Sequence, residues 1–195
     1  MINTIIFDFG KVLGTDPYVV FCKALSKYGI SKEIAREILG KHWFKLKIGE
    51  ENADKLWSTV EGYNPAEINN IILEFNNLIS VDDDMIDLCR ELKDKGYKLG
   101  ILANEGLEWM EIKREKGKLK EIFDIIYSSA DIKIPKPEEG AYLRILKDLG
   151  SEPSETLFID DLERNTSAAE KLGIKSFIFT GIDKLREDLK NLNIL

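Results

Sequence analysis

Five short stretches of this chain are rich in apolar, β-branched and aromatic residues and are bounded by polar or turn-forming ones. Such runs are typical of β-strands, and they cover residues 4–8, 98–103, 124–129, 156–160 and 175–180. Apolar residues at helical spacing predict helices over residues 82–95, 105–116, 138–149, 163–172 and 183–190. Strands that alternate with helices indicate right-handed βαβ units, so we predict an α/β fold built on a doubly wound parallel sheet.

The segment between the first two predicted strands contains no strand pattern. It carries amphipathic helical patterns instead, near residues 16–28, 31–40, 52–60 and 65–79. Three of them begin with residue types that cap helix N-termini, namely Asp16 with Pro17, Ser31, and Asn64 with Pro65. We therefore predict a helical cap domain over residues 14–81, inserted into an α/β core domain of residues 1–13 and 82–195.

Charge and composition narrow the classes of function. The chain has 28 basic and 35 acidic residues and a formal net charge of -7, which argues against binding to a nucleic-acid backbone. The N-terminus lacks the basic region and apolar run of a signal peptide, and no stretch approaches the roughly 18 uncharged apolar residues that span a bilayer. We expect a cytoplasmic protein that does not bind membranes, with Cys22 and Cys89 reduced and packed.

Polar side chains close the apolar runs or lie in the loops that follow them. They are Asp8, Asn104, Lys136 and the pair Asp160 and Asp161. Because the carboxyl ends of parallel strands share one edge of a sheet, this order predicts a single pocket with carboxylates, an amide and an ammonium group. Such a pocket suits a divalent cation and a phosphate group, and it contains most of what phosphoryl transfer requires.

Each of these residues also has an ordinary structural explanation. An aspartate near a glycine, as at Asp8, occurs in strand-to-loop turns, and Lys136 between two prolines is compatible with a surface lysine on a stiff loop. The pair of Asp160 and Asp161 is harder to explain, because one carboxylate is enough to cap the following helix. Two like charges so close cost energy unless a cation is bound, so the pair favours a metal site.

The spacing and order of these motifs resemble those of the haloacid dehalogenase superfamily. That family has a strand ending in a nucleophilic aspartate, a strand ending in Ser/Thr-Asn, a Lys-Pro segment and a strand ending in an acidic pair. Here the motifs are IIFDFGKVL, LGILANE, IPKPEEGAY and LFIDDLERNTSAAEKLG, from Ile5 to about Phe179. The helical insertion after the first motif is similar to the subfamily with a C1-type cap. The resemblance implies a Mg²⁺-dependent phosphatase, a phosphoric monoester hydrolase that acts on a small phosphorylated metabolite.

The resemblance also implies a metal site and a nucleophile. Asp8 would attack phosphorus and form an aspartyl-phosphate. Mg²⁺ would be held by Asp8, the Gly10 carbonyl and Asp161, and Asn165 would support the Asp161 side of that site.

Two further motif residues would contact the transferring phosphoryl group. Lys136 would neutralise its charge and that of the nucleophile, while Asn104 and nearby backbone amides would hold its oxygens. In this scheme the site acts by orientation and charge compensation around one in-line displacement.

Two positions depart from the family pattern. Family phosphatases usually carry a second aspartate two residues after the nucleophile, which protonates the leaving group and then activates water, whereas this chain has Gly10. General acid–base catalysis contributes about 10² to 10⁴ in rate, so its loss predicts slower turnover with metal and phosphate binding retained. Ala103 replaces a Ser or Thr hydroxyl and removes a hydrogen bond to the phosphate worth roughly 1.5 to 3 kcal/mol.

Other residues are candidates for proton transfer or substrate contact. Asp16 and His42 are possible substitute proton donors, although we expect Asp16 to cap a helix and His42, the only histidine, to lie on a helix surface. The run from His42 to Phe44, with Lys45 and Lys47, is the best candidate for a cap surface that meets substrate. Aromatic and cationic groups together suit a phosphorylated ring or sugar.

Three other functions fit parts of the pattern. The substitutions at Gly10 and Ala103 are compatible with a protein of this fold that binds a phosphorylated ligand or a partner and turns over little. A 2-haloacid dehalogenase would use Asp8 to attack carbon without a metal, but Asp160 and Asp161 would then repel its anionic substrate. A receiver-type phosphoacceptor domain lacks the helical insertion, and its acidic pair follows the first strand. The phosphatase is the preferred interpretation, and the low-turnover binding protein is the main alternative.

Overall fold

The computed structural model describes residues 1–195, and its centre is a five-stranded sheet. The strands are β1 (Thr4–Phe7), β2 (Lys98–Ala103), β3 (Ile125–Ser128), β4 (Thr156–Asp160) and β5 (Lys175–Ile178). All neighbouring strands are parallel, in the spatial order β3-β2-β1-β4-β5. The predicted α/β fold with a doubly wound parallel sheet is therefore confirmed.

Ten helices accompany the sheet. They are α1 (Pro17–Ser26), α2 (Lys32–Lys47), α3 (Ala53–Trp57), α4 (Pro65–Leu78), α5 (Asp83–Asp94), α6 (Leu107–Lys116), α7 (Ser129–Ile132), α8 (Glu139–Leu149), α9 (Glu163–Lys171) and α10 (Ile182–Asn191). None of them combines the length and the apolar composition that a membrane span requires. Cys22 and Cys89 are free and buried, as predicted.

Helix α2 is longer than the sequence predicts. An end near residue 40 is expected because a glycine in a helix interior costs about 1 kcal/mol relative to alanine, but α2 continues through Gly40 to Lys47. Leu46 in the added turns is buried among the apolar side chains of neighbouring helices, and this burial offsets the cost of the glycine. Helix α7, which begins with a capping box of Ser128 and Asp131, lies where no helix is predicted.

The sheet is covered on both faces, because successive side chains of a strand point to opposite sides. Ile5 and Phe7 of β1 pack on the face covered by α5 and α10, whereas Ile6 packs on the face covered by α8 and α9. Strand β1 lies in the middle of the sheet, with Phe7 in register with Ile101 of β2 and Ile159 of β4. The carboxyl ends of these three strands therefore lie side by side.

Helices α1 to α4 pack mainly against one another. Their buried apolar side chains form a separate cluster, in which the ring of Trp57 lies 5.1 Å from that of Phe21 and 5.4 Å from that of Phe75. Trp109 of α6 joins this cluster, with its ring 4.9 Å from Phe75. We call residues 14–81 the helical insertion, and Trp109 attaches it to the helices around the sheet.

The chain enters and leaves the helical insertion through two adjacent segments. The Thr15 N–H donates to the Ser80 carbonyl at 3.0 Å, and the Ser80 N–H donates to the Thr15 hydroxyl at 3.0 Å. The Asp82 N–H donates to the Leu13 carbonyl at 2.9 Å. A Cβ atom at Gly14 would clash with the Ser80 carbonyl oxygen, so only glycine permits this close approach.

Candidate active site

The carboxyl edge of the sheet borders a cavity of 340 Å³. All five predicted site residues line this cavity, namely Asp8, Gly10, Asn104, Lys136 and Asp161. The structure thus brings together groups that are far apart in the sequence, because β1, β2 and β4 end side by side and the loop after β3 returns to the same edge.

Lys136 lies between two carboxylates. Its ammonium Nζ is 2.7 Å from Oδ1 of Asp8 and 2.6 Å from Oδ2 of Asp160, and only 1% of its side chain is exposed. Burial alone would lower the pKa of Lys136, but the two adjacent carboxylates outweigh this effect and raise it above its ordinary value. Lys136 therefore stays charged and compensates both acids.

Asn104 holds the backbone of Lys136 in place. Its Oδ1 accepts a hydrogen bond from the Lys136 N–H, and its Nδ2 donates to the Lys136 carbonyl, both at 2.8 Å. A primary amide has two N–H groups, so one of them is still available to a ligand in the cavity. The predicted phosphate-binding amide is thus also the group that positions the lysine.

The Asp8 carboxyl group is buried at the end of β1. The pKa of Asp8 is raised from 3.8 to about 6, chiefly by burial; the Asp160 charge adds to the rise and Lys136 opposes it. A cation bound nearby would favour the ionised form, which is the nucleophilic one.

The two members of the acidic pair have different surroundings. Oδ1 of Asp160 accepts from the Leu162 N–H and from Nδ2 of Asn165, both at 2.9 Å, and its Oδ2 faces Lys136. Asp161 is partly exposed and contacts only the Lys11 ammonium, at 3.4 Å. The expectation that Asn165 supports Asp161 needs correction, because its amide donates to Asp160, which the following helix turn places within reach.

The donor set at this edge fits a divalent cation. Asp8, Asp160 and Asp161 each offer a carboxylate oxygen, and these three oxygens lie within 4.8 Å of one another. Oδ1 of Asn165 is buried without a hydrogen-bond partner, and no backbone N–H donates to the Gly10 carbonyl. Because hard cations prefer oxygen ligands, these atoms fit a Mg²⁺ ion and its water ligands.

Lys11 is a site residue that the sequence argument missed. Its ammonium lies 3.5 Å from Oδ2 of Asp16 and 3.4 Å from Oδ2 of Asp161. Burial is the largest single influence and lowers the pKa of Lys11, but the two acids together raise it overall. Its backbone adopts a left-handed conformation with φ of 60°, which is uncommon for a residue other than glycine. The only available signal was its position directly after Gly10 in the first motif.

Asp16 enters the cavity next to Gly10. A Cβ atom at Gly10 would lie 3.8 Å from the Asp16 Cα, which is an ordinary contact distance. Oδ1 of Asp16 accepts from the backbone N–H groups of Tyr18 and Val19, so the predicted helix cap is confirmed. The other oxygen faces Lys11 and the cavity.

The remaining candidate residues on α2 lie in different surroundings. Trp43 and Lys47 line the cavity. Phe44 is 60% exposed, and Lys45 pairs with Glu51 at 3.2 Å. The expected surface position of His42 is wrong, since it is buried.

The burial of His42 has a local cause. Its Nδ1 hydrogen-bonds Oε2 of Glu51 at 2.7 Å, and its Nε2 hydrogen-bonds the Thr59 hydroxyl at 3.2 Å. The ring contacts residues on either side of α3 and does not line the cavity, so His42 is not placed to donate a proton to a ligand.

A buried ion pair supports the loop after β2. Glu105 lines the cavity next to Asn104, and its carboxylate accepts a hydrogen bond from the ammonium of Lys113, which is fully buried. The same ammonium lies 4.6 Å from the centre of the Phe9 ring. Burial raises the pKa of Glu105, and Lys113 opposes that shift.

Comparison with known proteins identifies the family. A family model described as haloacid dehalogenase-like hydrolase matches residues 5–179. Pyrophosphatase PpaX of Bacillus cereus is 24% identical over 183 residues, which cover 90% of this chain and 82% of PpaX.

Solved structures share the fold. A haloacid dehalogenase (HAD) family enzyme of Bacteroides thetaiotaomicron, in a magnesium complex, matches with a TM-score of 0.81 at 22% identity, over 96% of this chain and 98% of that one. Its complex with magnesium and inorganic phosphate matches with a TM-score of 0.77 at 23% identity, over 91% of this chain and 93% of that one. A HAD phosphatase of Thermococcus onnurineus matches with a TM-score of 0.63 at 24% identity, over 90% of this chain and 85% of that one. Since the family model covers most of its length, this chain belongs to the haloacid dehalogenase-like hydrolase family.

Proposed function

We propose that this hydrolase is a Mg²⁺-dependent phosphatase that acts on a small phosphorylated metabolite. The observation that carries the proposal is the 2.7 Å contact of Lys136 with Asp8, next to carboxylate oxygens that lie within 4.8 Å of one another. A carboxylate nucleophile, a charge-neutralising ammonium group and a cation site would then share one side of the cavity. PpaX, a pyrophosphatase by name, and a fold neighbour that binds magnesium and inorganic phosphate support this proposal.

Mg²⁺ would be held by Asp8, the Gly10 carbonyl and Asp161. Both oxygens of Asp160 already accept hydrogen bonds from protein donors, whereas Asp161 meets only Lys11 and Asp8 has one oxygen outside its contact with Lys136. When bound, the ion would supply positive charge to the phosphoryl oxygens and to the carboxylates around them. In this proposal Asp160 positions Lys136 and the loop of the acidic pair.

The proposed reaction has two displacements. An Asp8 oxygen attacks phosphorus, the bond from phosphorus to the ester oxygen breaks, and the leaving oxygen takes a proton. Water then attacks the aspartyl-phosphate, loses a proton to the same acid–base group and releases inorganic phosphate. Lys136 compensates charge in both steps, and Asn104 holds Lys136 and offers its free amide N–H to the phosphoryl group.

Asp16 is the acid–base group in this proposal. It lines the cavity beside Gly10, at the place where the second family aspartate would project. One of its oxygens caps α1, and the other, which lies 3.5 Å from the Lys11 ammonium, would exchange a proton with the leaving group or with water.

The helical insertion is proposed to act as the cap domain, residues 14–81, over a core of residues 1–13 and 82–195. Its Trp43 and Lys47 line the cavity, which fits a wall that excludes water and selects the substrate.

The test is phosphate release from p-nitrophenyl phosphate and acetyl phosphate, with Mg²⁺ and with EDTA. Activity should require Mg²⁺ and should fall by at least about 10³-fold in Asp8→Asn, because the nucleophile is gone while the volume is kept. Circular dichroism of the variant controls for folding. Full activity in EDTA would contradict the metal requirement, and full activity of Asp8→Asn would remove the proposed nucleophile.

A second candidate function is a phosphate-ligand binding protein with little turnover. It is favoured by Gly10 and Ala103, which leave the cavity without the carboxylate and the hydroxyl usual in family phosphatases. The same assay separates the two functions. Mg²⁺-dependent binding of inorganic phosphate without release of phosphate from either substrate would favour the binding protein.

A further inference from the structure

Three cationic side chains in the cavity wall have no carboxylate partner. Arg36, Lys47 and Arg164 line the cavity, and none of them forms a salt bridge. The two other cations of the cavity, Lys11 and Lys136, each contact two acids. A net charge of -7 means that acidic residues outnumber basic ones in this chain. Composition therefore does not explain why cations on one cavity wall lack acidic partners.

The unpaired cations face the cavity from two helices. Arg36, Gly40, Trp43 and Lys47 follow one another at helical spacing on a single face of α2. Gly40 leaves open space on that face, because no atom lies within 4 Å of a Cβ built there. Arg164 belongs to the first turn of α9, the helix that follows the acidic pair.

Lys47 and Arg164 line the same cavity, and their like charges repel each other. Burial lowers the pKa of Lys47, and the charge of Arg164 lowers it further, while Glu138 partly opposes the shift. Arg164 is also disfavoured by its own helix, because the N-terminus of a helix carries partial positive charge. An anion between the two side chains would relieve both unfavourable interactions.

We propose that Lys47 and Arg164 form a subsite for a second anionic group of the substrate, a phosphate or a carboxylate on the leaving group. The inference rests on the proposed function, because it places the first anionic group, the reacting phosphoryl, at Asp8 and Lys136. Arg36, which donates from its Nε to the Tyr18 hydroxyl at 2.9 Å, extends the positive wall. The preferred substrates are therefore compact phosphoesters with two anionic ends, since the cavity has only 340 Å³.

Binding of three non-hydrolysable phosphonates to the Mg²⁺-loaded protein tests the subsite by calorimetry. Propylphosphonate carries one anionic group, 3-phosphonopropionate adds a carboxylate, and propane-1,3-bisphosphonate adds a second phosphonate. The last two should bind at least about ten-fold more tightly than the first, the size of one hydrogen bond to a charged group. The ratio of the affinities for these two probes distinguishes a carboxylate subsite from a phosphate subsite.

Variants assign the preference to the two side chains. Lys47→Gln and Arg164→Gln should each remove most of the roughly ten-fold preference. Lys41→Gln is the matched control, because Lys41 lies on the same helix, pairs with Glu37 at 2.7 Å and is outside the cavity. Lys41→Gln changes the net charge by the same amount as the other two variants. It should leave the preference for the two-anion probes intact.

Equal affinity for the three phosphonates, or a preference that survives in both variants, would overturn the subsite. Absence of detectable binding by any phosphonate would do the same. Failure of the proposed function looks different, since it would appear as missing phosphate release by a protein that still prefers the two-anion probes.

Discussion

The Lys136 ammonium and the Asp8 carboxylate form a buried ion pair at 2.7 Å, with 1% and 11% of their side chains exposed. The same ammonium also compensates Asp160, which is fully buried. One cation therefore balances two acids in a region from which water is nearly excluded. The pair is at once the proposed catalytic contact and a condition for burying the acids.

Replacing Lys136 by methionine should destabilise the protein as well as abolish activity. The change leaves Asp8 and Asp160 buried without a counter-charge, at a cost of about 3 to 5 kcal/mol in the free energy of unfolding. Urea unfolding in EDTA measures this cost, and Lys147→Met on the exposed face of α8 is the control. A variant as stable as the control would show that the pair does not compensate buried charge.

The stabilisation by Mg²⁺ should depend on pH. Burial raises the pKa of Asp8 in the folded protein from 3.8 to about 6. Between these values the folded state binds more protons than the unfolded state, so the Asp8 contribution to stability of the metal-free protein falls as pH rises. Mg²⁺ binds the ionised form, and its effect on Tm should be larger at about pH 7.5 than at about pH 5.

The Asp8→Asn variant is the control for this pH dependence. Asparagine does not titrate, so the difference between the two Mg²⁺-induced shifts in Tm should largely disappear. An unchanged difference in Asp8→Asn would assign the effect to other carboxylates.

Asp16→Asn should slow turnover selectively. Asparagine still accepts the hydrogen bonds that cap α1, but it cannot exchange a proton. We expect kcat for alkyl phosphates to fall by about 10² to 10⁴. The rate of the first displacement should fall less with acetyl phosphate, because its leaving group needs no proton.

Gly10→Asp in the Asp16→Asn background should restore part of that loss. The only atom within 4 Å of a Cβ at Gly10 is the Asp16 Cα at 3.8 Å, so a Cβ atom fits there without displacing backbone. Equal losses for alkyl and acyl phosphates in Asp16→Asn would contradict the role of Asp16 in protonating the leaving group. No rescue by Gly10→Asp would mean that position 10 cannot place a carboxylate for this step.

The buried pair of Glu105 and Lys113 should contribute through charge balance. Lys113→Met leaves Glu105 buried and unpaired, and we expect a loss of about 3 to 5 kcal/mol. Adding Glu105→Gln removes the orphaned charge and should recover much of the stability. Urea unfolding of the single and double variants measures the coupling, and a double variant no more stable than Lys113→Met would contradict the argument.

The strands and their polar ends were predictable from the sequence because each short apolar run has a local signature. Runs that end at Asp8, Asn104 and Asp160 become neighbouring strands, since parallel topology forces their carboxyl ends to one edge. The α2 extension could not be predicted, because the contacts that stabilise it beyond Gly40 come from distant helices.

Other parts of the site depend on partners that no local pattern identifies. Asn165 follows Asp160 by 5 residues and Lys113 follows Glu105 by 8, but the sequence does not show which carboxylate Asn165 contacts or that the second pair is buried. Arg164 offered a weak signal, because a basic residue in the first turn of a helix opposes the helix dipole. Favourable interactions for such a residue must come from outside its own helix.

Gly14 has a consequence beyond the turn in which it lies. The two crossings between the sheet and the helical insertion touch there, so any swing of one part against the other must bend both crossings together. A side chain at position 14 would wedge them apart and tilt the wall that carries Trp43 and Lys47. A residue that does not line the cavity therefore permits the close contact between the two crossings that support this wall.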